Sequence, residues 1–301
     1  MGAPNLRQFL VAENLKKRIP WFIKVPAKIV LSRLPLGLRS WQHLNLFRAG
    51  GMDSPAYAWD IFNKHCQAAD LTNLHGRNVL ELGPGNSLLT ALYARSFGAA
   101  RTWLIDSERL AENDTATFAR AEKALATLNR PVPGVSAAPS LDAVLEQLNA
   151  VYLTQGLTSL RTLPDGETDF LFSNAVLEHV ALADFAEIIK QTRRVLKPTG
   201  VASHLIDFKD HLQYALNNLR FSERVWESRF MARSGFYTNR LTWPKMEKIL
   251  QETGFSVELY GCNRWPNGLP TPQGRMAFPF RNMPPGELSV MDAHIVLRPA
   301  A

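Results

Sequence analysis

The chain has 301 residues, 46% hydrophobic and 20% charged, a balance that places it with globular proteins and excludes collagenous, coiled-coil and wholly disordered classes. Cys66 and Cys262 are its only cysteines; they lack the paired spacing of a zinc or disulfide framework, so both read as free thiols in a reducing cytoplasm and no metal is expected. The net charge of +7 sits at one end: residues 1–50 hold nine basic side chains against Glu13 alone, and the other 251 residues are nearly neutral. A neutral body argues against a polyphosphate-binding face, so no nucleic-acid partner is expected. There is no signal-peptide pattern, and no apolar run approaches the roughly 18 residues of a spanning helix.

Taken in chain order, residues 5–46 mix Trp21, Phe22, Ile23, Ile29 and Val30 with lysines and arginines, and Pro20, Pro26 and Pro35 break the pattern into several short helices. Residues 1–54 therefore read as a basic helical extension to a body over 55–301. The body opens with a helix over Pro55–Ala69 and a strand over Asn78–Leu82. The spacing of Leu88, Leu89, Leu92 and Tyr93 then predicts a helix, and Thr102–Ile105 a second strand, which completes a βαβ unit. Helical stretches follow around 111–128 and 141–148, then a buried strand over Asp169–Phe172. Further helices are expected over Ala175–Val180 and Asp184–Leu196, the latter closed by Lys197, Pro198, Thr199 and Gly200. Val201–Ile206 is the next strand. The segment 207–240 is aromatic and charged without a sheet pattern and reads as a cap inserted over the strand ends. A helix over Pro244–Glu252 stops at Gly254. The strands Ser256–Tyr260 and Asp292–Leu297 follow, joined without a helix, so an antiparallel pair is expected at one edge of an otherwise parallel sheet.

The chemistry concentrates where the first strand ends. Glu81, Gly83 and Gly85 form an E-x-G-x-G run between strand and helix, and glycines there let backbone amides come close to a ligand. A dinucleotide pyrophosphate is anionic, and its loop follows G-x-G-x-x-G; here an acid precedes the first glycine and Leu88 replaces the third. A carboxylate at that point suits a cationic ligand. Asp106, at the end of the second strand, is placed to accept hydrogen bonds from both hydroxyls of a ribose.

Three stretches, VLELGPGNS at Val79–Ser87, LIDSERLA at Leu104–Ala111 and LPDGETDFLFSNAVLEHV at Leu163–Val180, resemble the class I S-adenosylmethionine-dependent methyltransferases, and the resemblance runs from about 78 to 297. It implies a Rossmann-like α/β fold, a seven-stranded, mostly parallel sheet with an antiparallel edge strand and helices on both faces. It also implies S-adenosyl-L-methionine as cofactor. Glu81, Gly83, Pro84, Gly85, Asn86 and Ser87 would then form the loop around the methionyl part, Asp106 would hold the ribose, Gly156 and Leu157 would flank the adenine, and Asn174 would lie beside the methionyl group. Leu157 stands where an acid is often found, which leaves adenine to backbone groups. The segments around 203–211, 237–241 and 286–297 are similar to a bacterial subgroup associated with surface glycans and secondary metabolites, so a small-molecule or glycan acceptor is implied.

Methyl transfer to a hydroxyl needs a base. Candidates are His179, at the start of an expected helix, and His211, with Asp207 or Asp210 as orienting carboxylate. Asp207, Asp210 and His211 also read as a solvated helix start, with a capping acid. The basic arm reads either as a lid or, through residues 1–40, as a peripheral contact with an anionic membrane at the inner face. The competing functional reading is a methyltransferase fold that binds cofactor or partner without turnover.

Overall fold

The computed structural model describes residues 54–111, 114–130, 132 and 134–300. The helices and the membrane contact expected before residue 54 lie outside them. Among the described residues, no helix is long and apolar enough to cross a membrane.

The larger of two compact units comprises described residues up to Asp207, Trp243–Asn263 and the chain from Asp292 onward. Its sheet has the order β3-β2-β1-β4-β5-β7-β6. The strands are β1 (Asn78–Leu82), β2 (Arg101–Ile105), β3 (Ala150–Leu153), β4 (Thr168–Asn174), β5 (Leu196–Asp207), β6 (Phe255–Arg264) and β7 (Val290–Pro299). The pairs β1–β2, β1–β4, β2–β3 and β4–β5 are parallel. β7 runs antiparallel to β5, and β6 closes that end. The helices are α1 (Pro55–Ala68), α2 (Leu89–Ser96), α3 (Thr115–Thr127), α4 (Leu141–Gln147), α5 (Leu157–Thr162), α6 (Leu182–Val195) and, in the second unit's sequence span and after it, α7 (Glu223–Trp226), α8 (Arg229–Ala232) and α9 (Trp243–Glu252). The central strands are near-continuous apolar runs because both faces are covered; Val79, Leu80, Phe170, Leu171 and Phe172 have no exposed surface. Phe62 of α1 meets Phe172 edge-on, with ring centroids 5.9 Å apart, which seats that helix on β4.

Three expectations need correction. The segment Ala175–Val180 is not a helix: Ala175 has φ +53, and only Leu177–His179 makes a single 3-10 turn. The Lys197–Gly200 stop lies inside β5. There Leu196 pairs with Thr168 and Val201 with Phe170, so four residues bulge opposite one. A Cβ on Gly200 would lie 2.8 Å from Leu196 and 3.0 Å from the Thr168 carbonyl, which is why a glycine stands there. Strand β3 and helix α5 were not anticipated; four and six residues are too short to show a period.

The second unit is built, among described residues, from Phe208–Thr242 together with Arg264–Met291. The loop expected between the last two strands thus falls in the same unit as 208–242. Leu216 and Leu219 pack with Met276, Phe280 and Leu288; the Ala277 amide donates to the Leu219 carbonyl (2.8 Å). Arg240 is buried between the rings of Trp226 (5.4 Å) and Phe280 (5.2 Å) and lies 3.6 Å from Glu227.

Candidate active site

The ends of β1, β2 and β3 are tied into one cradle by backbone amides. Gly83 N–H donates to the Ile105 carbonyl (2.7 Å), Gly156 N–H to the Asp106 carbonyl (2.8 Å), and Gly85 N–H to Asp106 Oδ2 (2.9 Å). All three glycines have positive φ, at +70, +49 and +68, a region that L side chains avoid. They differ in what surrounds them. A Cβ on Gly83 would lie 2.4 Å from Val176 Cγ2, so that residue packs the loop against the turn after β4; a Cβ on Gly85 would meet nothing within 4 Å. Gly85 is the open wall.

Glu81 sits in mid-sheet, in register with Leu104 and Phe172. It is buried; one oxygen is held by Thr90, while Oε2 is buried without a hydrogen-bond partner. Burial, and then the nearby Asp106 charge, push its carboxyl up to about 8 against the pull of Thr90. Burial likewise raises Asp106, opposed by hydrogen bonds from the Gly85 and Ser107 amides. Asn86 carries a second buried, unsatisfied oxygen in the same loop, with the buried Pro84 and Ser87 beside it. Two adjacent raised carboxyls and unsatisfied acceptors beside an open glycine form a site short of a cation and of hydrogen-bond donors. The ammonium and ribose hydroxyls of S-adenosylmethionine supply both, so these residues fit that group.

Residues 80–203 match the family model for a methyltransferase domain.

The domain is that of an S-adenosylmethionine-dependent methyltransferase, and the fold of its sheet agrees with that class. Solved structures similar to the chain include an S-adenosylmethionine-dependent methyltransferase from Mesorhizobium loti, at 18% identity and TM-score 0.44, covering 82% of this chain and 100% of that one. Another is the Burkholderia thailandensis 1,6-didemethyltoxoflavin-N1-methyltransferase, at 14% identity and TM-score 0.44, covering 100% and 94%. No curated protein matches.

The other residues expected at the site lie on several different elements. Gly156 opens α5 and Leu157 is its first residue, half-buried. Asn174 ends β4, with its Oδ1 buried. His179 is exposed at the end of the 3-10 turn, rather than on a packed helix. Asp207 ends β5 opposite Asp292. His211 is half-buried and belongs to the second unit. Of its two candidate orienting acids, Asp210 accepts from backbone amides. Asp210 Oδ1 accepts from the Leu212 (3.0 Å) and Gln213 (2.7 Å) amides, and Oδ2 accepts from the Asn217 amide. Asp210 therefore shapes its own loop. The sequence reading missed Thr90, Ser107, Val176 and a set of buried histidines, His65, His204 and His294. The only sequence signal for those histidines was polar residues on strands and a helix face that otherwise read as core.

Proposed function

We propose that this methyltransferase modifies an oxygen of a small molecule or glycan and that Glu81, Gly83, Pro84, Gly85, Asn86, Ser87, Asp106, Gly156, Leu157 and Asn174 hold its methyl donor. The observation that carries the site is the buried carboxyl of Glu81, two residues before Gly83 of the cradle, whose Oε2 has no hydrogen-bond partner. Bound S-adenosylmethionine supplies an electrophilic methyl on a sulfonium. The protein's own work is then to hold the ammonium at Glu81, to orient the ribose at Asp106, and to accept the proton released by a hydroxyl acceptor. His179 and His211 are the imidazoles available for that proton, with Asp207 as the carboxylate at the end of β5. The unit of 208–242 and 264–291 supplies the acceptor-binding surface in this reading. Residues 1–40, rich in lysine and arginine, bring the enzyme to an anionic membrane face, and sedimentation with anionic vesicles that survives their deletion rejects that assignment.

The test is transfer of a labelled methyl from S-adenosylmethionine to fractions of a cell extract, followed by the mass and hydrolytic behaviour of the product. An acid- and base-stable amine product overturns O-methylation. Binding of S-adenosylhomocysteine without any labelled product favours the silent fold.

A further inference from the structure

His65 of α1, His204 of β5 and His294 of β7 are buried in the larger unit. The register sorts them by face. Phe172 pairs with Ser203, Asn174 with Leu205, and Leu205 with His294, so Asn174, Ser203 and His294 share the sheet face that α1 covers. His65 reaches that face, its ring 5.0 Å from Phe172 and 5.1 Å from His294. His204 points the other way and bonds Ser173 (2.7 Å).

On the α1 face, a single hydroxyl bridges two rings: Ser203 Oγ is 2.8 Å from His65 Nδ1 and 2.9 Å from His294 Nε2. Burial disfavours charge on both imidazoles, as does Lys64 nearby, so each carries one proton. The hydroxyl also has one, and cannot donate to both. Oγ could accept from both rings only by leaving its own buried proton without an acceptor, since the two rings are its only partners among the described residues; one ring therefore donates to Oγ while the other accepts from it, and the two tautomers are locked together. Asn174 decides the direction. It lies on the same face, two residues along β4 from the Phe172 ring that His65 packs against, and His65 Nε2 and Asn174 Oδ1 are both buried and each lacks a hydrogen-bond partner. A proton on His65 Nε2 points a donor at that oxygen, whereas the opposite setting sets lone pair against lone pair, at the cost of two buried unsatisfied atoms.

We propose that His65, Ser203 and His294 are positioning residues that fix the Asn174 amide with its oxygen toward His65 and its NH2 toward the bound methyl donor. The proton order is His294 Nε2–H to Ser203 Oγ, Ser203 O–H to His65 Nδ1, and His65 Nε2–H to Asn174 Oδ1. Asn174 therefore offers the ligand a donor and never an acceptor. This rests on the reading that Asn174 lines the cofactor site.

Nitrogen-15 NMR of histidine-labelled full-length protein reads the tautomers without any mutation. Single Nε2–H forms at both His65 and His294, insensitive to pH between 6 and 8, are expected; an Nδ1–H form at either ring overturns the relay. Calorimetry with S-adenosylhomocysteine supplies the second readout. Ser203→Ala is expected to weaken binding five- to tenfold and to let the His65 tautomers mix, and Ser203→Thr, which restores the hydroxyl, to recover both. Ser173→Ala removes the matching Ser–His bond on the opposite face and is expected to stay within twofold. Equal losses from Ser203→Ala and Ser173→Ala show mere core damage and reject the positioning role. Asn174→Ala separates the two layers: if it leaves affinity unchanged, Asn174 does not line the site and the placement toward the donor fails, whatever the tautomers show.

Discussion

If Glu81 holds the ammonium of the methyl donor, binding must ionise a carboxyl that rests near pH 8. At pH 7 roughly one molecule in ten carries the charge, so the apparent affinity is about tenfold below its limit, a cost of about 1.4 kcal/mol. At pH 6 the ionised share is roughly a hundredth. Calorimetric titration with S-adenosylhomocysteine should therefore show affinity rising about tenfold from pH 6 to 7, more slowly to pH 8, and close to one proton released per ligand at pH 7, read from two buffers of different ionisation enthalpy. Glu81→Gln keeps the volume and one acceptor but removes the charge. It should flatten the pH dependence, abolish proton release and, at pH 8, lose about 1.5–3 kcal/mol, the usual worth of a hydrogen bond to a charged group. Wild-type affinity that is flat from pH 6 to 8, with no proton release, refutes the assignment of the ammonium to Glu81.

The two loop glycines should separate folding from binding. Gly83→Ala drives a methyl into Val176 at positive φ and is expected to destabilise by about 1–3 kcal/mol in thermal or urea unfolding, whereas Gly85→Ala meets open space and should lose ligand affinity at a much smaller stability cost. Arg240→Met removes the cation paired with Glu227 between two aromatic rings; Glu227 keeps its bond from the Tyr237 hydroxyl (2.6 Å), so the loss should cost about 1.5–3 kcal/mol, read as earlier loss of tryptophan fluorescence from the second unit. The buried histidines should make the protein acid-labile. Burial lowers His65 well below its ordinary value, His204 to about 3 and His294 to about 4, so the fold binds fewer protons than the unfolded chain. The stability they contribute is complete above about pH 6.5 and is lost as pH falls toward 4, at up to about 1.4 kcal/mol per pH unit for each ring. Glu81, raised in the fold, acts in the opposite sense between pH 8 and 4.5. A melting temperature that does not drop between pH 6.5 and 4.5 contradicts the neutral cluster.

What the sequence disclosed follows from how local each signal is. Strand β1 and the Glu81–Gly85 run were legible because an apolar run, an acid and two glycines fall within eight residues, and Asp106 because it ends the next strand. Strand β3 was not legible: its four residues, Ala150–Leu153, gain their place from pairing with β2, and no neighbour in the chain announces it. The helix expected over Ala175–Val180 failed at one backbone angle, the positive φ of Ala175, where the chain turns off the sheet into the site. Asp210 looked like a partner for an imidazole because the two are adjacent in sequence; its three backbone bonds depend on a loop that closes seven residues later. The Ser203 bridge joins residues 138 and 91 positions apart, and no pattern of period two or 3.6 reaches that far.

Among the described residues the second unit is written into the chain twice, once after β5 and again between β6 and β7; the first stretch has a cluster of its own in Leu212, Trp226, Met231, Phe236 and Tyr237, but Leu216 and Leu219 are packed only with the second. Insertions or exchanges at that shared cluster must therefore come in matched pairs. A graft of 208–242 alone would strand Leu216 and Leu219 without Met276, Phe280 and Leu288. Related enzymes should show these two loci changing length and apolar content together while the sheet between them stays constant, and an engineer exchanging this unit should transplant both as one cassette.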